Sequence, residues 1–257
     1  MKIGIIGSGE VAQAIAPKML ELGNEVMISA RDTGMGKKRE WGNLPSVMDW
    51  VVEREEEGLK GLGGTFREAA EFGELIFNCT SGAHSLEALQ SAGAENLNGK
   101  ILIDLANPLS FSDTGEVTLT ICNTTSLGEA LQAAFPDVKI VKTLNHVTSE
   151  LMTNPGLLSV DTQLYIAGND ADAKAWVADT VLKKWFGWKN VLDLGGMESA
   201  RGLEMYLILW LSLWKTVKTP IFNFKLVSTA DGSKHKAKKK ASIKKQKPGR
   251  KIKGKRR

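Results

Sequence analysis

The chain has 257 residues, 42% of them hydrophobic and 25% charged, which is enough apolar material for a large α/β domain and excludes a chain that is disordered throughout. Its formal net charge of +5 is unevenly distributed, because residues 233–257 hold 14 of the 34 basic residues and none of the 29 acidic ones, leaving residues 1–232 with a net charge of −9. The two cysteines, Cys79 and Cys122, form neither a disulfide framework nor a metal-ligand spacing, as is typical of a reducing cytosol.

Neither apolar run of the sequence predicts a leader or a membrane segment. The run IGII is interrupted by Gly7 after too few residues for a signal peptide. The run at residues 205–214 is shorter than the roughly 20 residues that a membrane-spanning helix needs. We therefore expect a cytoplasmic protein with no membrane span and no metal site.

The first 30 residues predict a strand, a glycine turn, a helix and a second strand. Residues 2–6 (KIGII) are apolar, and the helical period that follows places Val11, Ile15 and Met19 on one face. Gly23 ends the helix ahead of the strand EVMIS. This order is typical of a βαβ unit with a right-handed crossover.

Strands and helices then alternate along the chain. A helix capped by Ser46 is followed by a glycine-rich loop at residues 58–64, and Thr65 caps the next helix. Further strands are predicted at 74–80, 100–105 and 138–144 and in QLYIAG and NVLDLGG, and further helices near 84–91, at 127–135, in DADAKAWVADTVLKKWFG and from about 198 to 214, where the last could continue to Phe224.

This alternation predicts an α/β fold with a doubly wound, mostly parallel Rossmann-type sheet, covered on both faces and followed by a helical C-terminal segment. We expect residues 1–225 to form one domain. Residues 226–257 form a basic tail with few apolar side chains, which cannot offset the entropy of ordering it. We therefore expect the tail to be disordered.

The stretch GSGEVA, residues 7–12, matches the pattern G-x-G-x-x-A between a predicted strand and a predicted helix, where that pattern is informative. The first glycine allows a tight turn, the second lets the backbone approach a pyrophosphate, and the small third residue lets helix and strand pack closely. Backbone amides and the positive end of the helix then bind the anion. The sequence therefore predicts a dinucleotide site.

The tip of the second strand indicates which dinucleotide is bound. An acid there would bind the adenosine ribose 2′-hydroxyl and repel a 2′-phosphate, but Ser29 and Arg31 offer a hydroxyl and a guanidinium. We therefore predict that these two residues bind the 2′-phosphate of NADP(H). The alternative is that Arg31 is a solvated loop arginine paired with Asp32.

With these residues in place, the chain resembles the NADPH-dependent reductases of the deazaflavin coenzyme F420 and the wider set of NADP oxidoreductases built on that domain. The similarity is carried by KIGIIGSGEVAQAIAPKMLELGNEVMISAR, LIDLANPL, VKIVKTLN, YIAGNDADAK and VLDLGGMESARGLE, and it extends over residues 1–225. The resemblance implies an NADP-binding Rossmann-type oxidoreductase domain that is often dimeric. It also implies that Gly7, Ser8, Gly9, Glu10 and Val11 lie along the pyrophosphate, Ser29 and Arg31 at the 2′-phosphate, and Thr80, Ser81, Ala106, Asn107 and Pro108 near the nicotinamide half.

Residues 145–148 (NHVT) depart from the deazaflavin reductases proper, which leaves the hydride acceptor open. Transfer to a deazaflavin or flavin requires mainly orientation and a dry pocket. A small imine or carbonyl, as in pyrroline-5-carboxylate reductases, would require a proton donor, for which His146 and His84 are the candidates. The alternative for each histidine is an ordinary loop hydrogen bond.

The C-terminal part of the chain suggests partners. The run LEMYLILWLSLW is apolar all round a helix, which indicates burial either within the domain or in a homodimer formed through this segment. The basic tail could bind nucleic acid nonspecifically through counterion release, or be a solvated extension. The sequence thus leaves two functions: an NADP-dependent oxidoreductase, and an NADPH-binding sensor whose tail contacts nucleic acid.

Overall fold

The computed structural model describes residues 1–31, 33 and 44–228 of the chain. The chain divides into two units, Met1–Asn223 and Phe224–Arg257. In the second unit, the described residues 224–228 form neither helix nor strand. The predicted pairing of Arg31 with Asp32 and the predicted disorder of the tail from residue 229 onward lie outside the described residues.

One large sheet organises the first unit. The strands in chain order are β1 Lys2–Ile6, β2 Glu25–Ser29, β3 Gly61–Gly64, β4 Leu75–Asn78, β5 Ile101–Asp104, β6 Leu109–Phe111, β7 Val117–Leu119, β8 Lys139–Thr143, β9 Gln163–Gly168 and β10 Asn190–Asp193. Eight of them form a sheet in the order β10-β9-β8-β5-β4-β1-β2-β3, whereas β6 and β7 form a separate hairpin. Within the large sheet only the β8–β9 pair is antiparallel. The predicted mostly parallel Rossmann-type sheet is confirmed.

Helices connect the strands. They are α1 Glu10–Glu21, α2 Val47–Glu56, α3 Phe66–Phe72, α4 Ser85–Ala92, α5 Ala94–Leu97, α6 Leu127–Ala134, α7 Ser149–Thr153, α8 Ala171–Trp176 and α9 Ala200–Val217. A π-helical segment, Val177–Trp185, follows α8. The predicted helical C-terminal segment is α9.

Strand β1 shows how the sheet separates two apolar layers. Ile3 and Ile5 are buried in one cluster together with Ile15 of α1. Ile6 is buried in the other cluster together with Ala69 of α3. Because successive side chains of a strand point to opposite faces, both faces of the sheet are covered, as a doubly wound fold requires.

Polar caps define the helix starts that the sequence predicts. The Ser46 hydroxyl accepts a hydrogen bond from the amide of Asp49 at the start of α2. At the start of α3, Thr65 and Glu68 form a capping box. The backbone and hydroxyl hydrogen bonds from Thr65 lower the pKa of the Glu68 carboxyl. Both caps confirm the predicted starts of these two helices.

Strand β3 corrects a prediction, because its glycine-rich sequence was expected to form a loop. A Cβ on Gly61 would lie 2.4 Å from the Trp50 ring, and one on Gly63 would lie 2.6 Å from a methyl group of Val47. The glycines therefore let α2 pack directly on an edge strand. Intrinsic strand propensity disfavours glycine, but close packing requires it here.

Two other elements differ from the sequence-based expectation. Helix α9 does not continue to Phe224, since Lys218 adopts a left-handed conformation with φ of 59° and ends it at Val217. The β6–β7 hairpin was not predicted, because three-residue strands carry too little alternation to be recognised.

Candidate functional site

An open cavity of about 470 Å³ lies at the carboxyl ends of β1, β2 and β4, the edge where open α/β sheets bind ligands. It is lined by Gly7, Ser8, Gly9, Ser29, Ala30, Arg31, Phe66, Cys79, Thr80, Ser81, His84, Glu87, Ala88 and Ser91. Seven of the predicted cofactor residues are therefore brought together: Gly7, Ser8, Gly9, Ser29, Arg31, Thr80 and Ser81. The other five, Glu10, Val11, Ala106, Asn107 and Pro108, are not part of this lining.

The glycine turn has the backbone geometry that the pattern predicts. Gly7 has a φ of +118°, and a Cβ on it would lie 2.7 Å from the carbonyl oxygen of Cys79. The Gly7 amide donates to the carbonyl oxygen of Ser29 over 3.1 Å, which ties the turn to the tip of β2. Gly9 is the N-cap of α1, and a Cβ on it would meet nothing within 4 Å. The turn thus leaves open space beside the first amides of α1, as a bound pyrophosphate requires.

Two predicted cofactor residues, Ser29 and Arg31, lie at the end of β2 and differ in whether their side chains can reach a ligand. Ser29 is fully buried, and its hydroxyl donates to the carbonyl oxygen of Ile5 over 2.7 Å. A serine hydroxyl has a single proton, so Ser29 has none left to donate to a phosphate. This corrects its predicted part in a phosphate clamp. Arg31 is exposed at the mouth of the cavity.

The turn after β4 supplies the next cavity residues. Thr80 is half-buried, and its hydroxyl contacts the Asn78 side-chain oxygen and the Ser85 hydroxyl, each at 2.7 Å. Ser81 is exposed beside it. This turn therefore presents two hydroxyls next to the glycine turn.

The predicted Ala106-Asn107-Pro108 turn after β5 packs behind the cavity. A Cβ on Gly82 would lie 2.1 Å from the carbonyl oxygen of Asn107, so the two turns are in direct contact. The Asn107 side-chain amide also donates to the backbone carbonyl oxygen of Asn145 at 2.7 Å, and its side-chain oxygen accepts from the Asn145 side-chain amide at 2.9 Å. The turn adjoins the cavity wall without lining it.

The side chains of Glu10 and Val11 are not part of the cavity lining and make other contacts. The Glu10 carboxylate accepts a hydrogen bond from the Ser149 hydroxyl at 2.7 Å, which connects the start of α1 to the start of α7. Val11 packs against the buried apolar cluster on one face of the sheet. In both residues, only the backbone belongs to the turn.

The two candidate proton donors occupy different environments. His146 is 1% exposed, and burial lowers its pKa to about 3, so the ring is neutral at neutral pH. Its Nε2 faces the amide of Tyr165 at 3.4 Å. A buried neutral ring keeps one N–H but lacks the acidic second proton, so it is unsuited to protonating a substrate, which corrects the prediction for His146. His84 is exposed at the cavity, 3.8 Å from the Glu87 carboxylate.

A buried charge cluster behind the cavity was not predicted from the sequence. Lys142 of β8 is fully buried, and its ammonium lies 2.8 Å from Asp104 of β5 and 3.1 Å from Glu204 of α9. It also donates to the carbonyl oxygen of Ala106. The signal that could have revealed the cluster is a lysine or aspartate inside an apolar strand, as in KIVKTL and ILIDL.

The cluster is held together by opposite charges. Burial alone would lower the pKa of Lys142, but Asp104 and Glu204 outweigh that effect and raise it above the ordinary value for lysine. Glu204 also accepts hydrogen bonds from the amides of Leu127 and Gly128, at 2.8 and 3.0 Å, at the start of α6. The ammonium therefore remains charged, and α9 is joined to the ends of the central strands.

Some chemistries are not supported by the described residues. The Cys79 thiol lies in the cavity wall, but burial and the charge of Asp104 both raise its pKa well above the usual range, so the thiol stays protonated.

In the ranges 1–31, 33 and 44–228, no group of three potential metal ligands is close enough to hold an ion. No helix within the same ranges has the length and apolarity needed to cross a membrane.

Comparisons with known proteins identify relatives of this chain. The family described as NADP oxidoreductase coenzyme F420-dependent matches residues 2–108, which run from β1 to the turn after β5. Metalloreductase STEAP3 of Rattus norvegicus is 29% identical over 216 residues and metalloreductase STEAP2 of Homo sapiens 28% identical over 215 residues. Each match covers 83% of this chain but only 38% and 37% of those proteins, so the chain spans less than two fifths of their length.

Solved structures show the same relationship. An imine reductase from Myxococcus stipitatus in complex with NADP+ shares the fold, with a TM-score of 0.57, 16% identity, and coverage of 84% of this chain and 64% of that one. A protein from Arthrobacter sp. FB24, described as a proposed F420-dependent NADP-reductase, has a TM-score of 0.81 and 42% identity, and the match covers 89% of this chain and all of that one. The chain therefore belongs to the coenzyme F420-dependent family of NADP oxidoreductases.

Proposed function

We propose that NADPH binds in the cavity with its pyrophosphate on the glycine turn and its 2′-phosphate at Arg31. The observation that carries this proposal is the continuity of the lining from Gly7 and Gly9 to Arg31. The positive end of α1 favours an anion at the turn, and a guanidinium favours a phosphate at the tip of β2.

We propose that the remaining cofactor contacts lie along the same edge of the sheet. Ser8 would contribute to the pyrophosphate site, while Thr80 and Ser81 would lie along the ribose and nicotinamide half. The turn at Ala106, Asn107 and Pro108 would support this half from behind, because it packs against Gly82. Bound NADPH supplies the hydride, and these residues bind and orient it.

We propose a deazaflavin or flavin ring as the hydride acceptor. Such a ring requires stacking and orientation but no strong protein acid, and buried His146 is unsuited to be one. The Arthrobacter relative is described as F420-dependent and the STEAP relatives as metalloreductases, so metal complexes also belong among the candidates. A small imine or carbonyl is the second candidate class, favoured only by the position of His84 at the cavity.

A turnover assay tests the reaction directly. NADPH oxidation is followed by its absorbance with coenzyme F420, FMN, riboflavin, a ferric complex and a cyclic imine as separate acceptors. We expect turnover with the ring acceptors and little with the imine. Turnover with the imine alone, lost in a His84→Ala variant, would replace the ring acceptor by the second class. Tight NADPH binding without turnover on any acceptor would favour the sensor.

We also propose that α9 pairs with a second copy of the chain. Several of its apolar side chains are exposed: Met205, Ile208, Leu209, Trp214 and Val217. Met205, Ile208 and Leu209 form one exposed face of the helix, and the face opposite to these three is buried through Leu203, Leu207 and Trp210. An apolar face left in water is typical of an interface, and a homodimer would cover it. The mass in solution tests this: a dimer that Leu209→Lys dissociates is expected, and a monomeric wild type would contradict it.

A further inference from the structure

A chain of hydrogen bonds connects the buried charge cluster to the cavity. It runs from Lys142 to Asp104 at 2.8 Å, from Asp104 to Asn78 at 2.8 Å, and from Asn78 to Thr80 at 2.7 Å. Lys142, Asp104 and Asn78 are all fully buried, whereas Thr80 lines the cavity. These bonds therefore join buried Lys142 to a hydroxyl in the cavity wall.

The Asp104 carboxylate determines which atom donates and which accepts in each of these hydrogen bonds. This carboxylate is surrounded by groups that can only donate to it, namely the Lys142 ammonium and the backbone amide of Ala106, the latter at 3.2 Å. An ion-paired carboxylate accepts and does not donate. The atom of Asn78 that faces Asp104 must therefore be the amide nitrogen, which leaves the Asn78 oxygen facing Thr80.

The orientation of Asn78 in turn fixes the Thr80 hydroxyl. Its oxygen accepts from the Thr80 hydroxyl at 2.7 Å, so the single hydroxyl proton of Thr80 is committed to Asn78. Ser85 Oγ lies 2.7 Å from Thr80 Oγ1 but 3.4 Å from the carbonyl oxygen of Ser81, and it therefore donates to Thr80. One lone pair of Thr80 remains for the cavity.

We propose that Lys142, Asp104 and Asn78 are positioning residues that make Thr80 a hydrogen-bond acceptor for bound NADPH. This inference rests on the proposed binding of NADPH in the cavity. An acceptor matches a ribose hydroxyl or the carboxamide N–H of the nicotinamide. It does not match a phosphate oxygen, which also accepts. Thr80 therefore recognises the sugar or the nicotinamide and not the pyrophosphate beside it.

A double-mutant cycle on NADPH affinity, measured by fluorescence titration, tests this relay. Thr80→Val removes the acceptor, and Asp104→Asn removes the group that fixes Asn78, so each is expected to weaken NADPH binding about tenfold, the effect of one hydrogen bond. In the Thr80→Val background, Asp104→Asn is expected to cause no further loss. Thr80→Ser, which retains the hydroxyl, is expected to bind NADPH as the wild type does.

Lys174→Met is the matched control. Lys174 is also buried and ion-paired, to Asp193 at 2.8 Å, but it lies outside the cavity lining. Loss of the Lys174 ammonium is expected to reduce stability and leave the NADPH affinity unchanged.

If Asp104→Asn does not fold, Asn78→Ala takes its place in the cycle, because Asn78→Ala removes the acceptor of the Thr80 proton without leaving a buried charge.

Two results would overturn the relay. One is an equal loss of affinity on Asp104→Asn, or on Asn78→Ala, with and without Thr80→Val, which would mean that the residue acts through general structure. The other is an unchanged NADPH affinity when Asp104→Asn or Asn78→Ala is made in the wild-type protein, in which Thr80 is intact. These results are distinct from failure of the proposed function, in which the wild type itself would not bind NADPH.

Discussion

Lys142 of strand β8 lies 3.1 Å from Glu204 of helix α9, and both side chains are buried. This ion pair joins the final helix to the centre of the sheet. Asp104 completes the cluster at 2.8 Å from the same ammonium. The opposite charges offset the cost of burying each other, so removal of one leaves the others uncompensated.

Lys142→Met is therefore expected to reduce the free energy of unfolding by about 3–5 kcal/mol, the usual cost of leaving buried charges unpaired. Urea unfolding at pH 7 measures the change. Lys189→Met, which removes an ion pair between exposed side chains of Lys189 and Asp161, is the control and should change stability by under about 1 kcal/mol. Equal effects of the two substitutions would show that the buried cluster adds no special stability.

Two glycines of the turn are expected to respond differently to alanine. Gly7→Ala forces a Cβ to within 2.7 Å of the Cys79 carbonyl oxygen at a φ of +118°, so it should destabilise the fold by more than about 1 kcal/mol. Gly9→Ala places its Cβ in open space, so the fold should be retained while NADPH binding weakens. Thermal unfolding and NADPH titration of both variants separate the two effects. Unchanged NADPH affinity in Gly9→Ala would contradict a cofactor beside this residue.

Ser29→Ala tests the corrected role of that hydroxyl. Because the hydroxyl donates to the Ile5 carbonyl oxygen, its loss should reduce the free energy of unfolding by about 1 kcal/mol. The preference for NADPH over NADH should stay as in the wild type. A loss of that preference, measured by the ratio of the two dissociation constants, would return Ser29 to the 2′-phosphate site.

Burial of neutral His146 predicts a pH dependence of stability. Its pKa is about 3 in the folded protein and near 6.5 when exposed, so the unfolded chain binds the extra proton between these values. This contribution to stability is complete above pH 6.5 and is lost progressively as the pH falls towards 3. The slope can reach about 1.4 kcal/mol per pH unit.

His146→Gln removes this titration, so its unfolding free energy should fall less steeply than that of the wild type. Denaturant unfolding from pH 7 to pH 4 measures both slopes. Parallel curves for the wild type and His146→Gln would show that His146 does not couple folding to protons.

The sequence was sufficient for the order of strands and helices and for the glycine turn, because these depend on local periodicity and on residues that are adjacent in the chain. It was insufficient for Ser29, whose hydroxyl proton is taken by Ile5, a residue 24 positions away. The β3 strand was missed for a similar reason, since its glycines are explained by packing against Trp50.

The charge cluster shows the same limit for the site. Asp104 and Lys142 are 38 residues apart, and Glu204 comes from the last helix, so only the folded sheet brings their charges together. The cavity residues at strand ends were easier to predict, because parallel strands bring their carboxyl ends to one edge. The positions of site residues could thus be predicted where the sheet topology determines them, whereas the hydrogen-bond partners of their side chains could not.

The selectivity of Arg31 for the 2′-phosphate is the most direct test of NADPH binding in this cavity. Dissociation constants for NADPH and NADH are measured for the wild type, for Arg31→Ala and for Arg67→Ala, which removes a different exposed arginine that is paired with Glu95. Arg31→Ala should weaken NADPH by about ten- to a hundredfold, the effect of one charge-assisted contact, with little change for NADH. Arg67→Ala should change neither constant. An equal loss for both cofactors in Arg31→Ala would contradict the account.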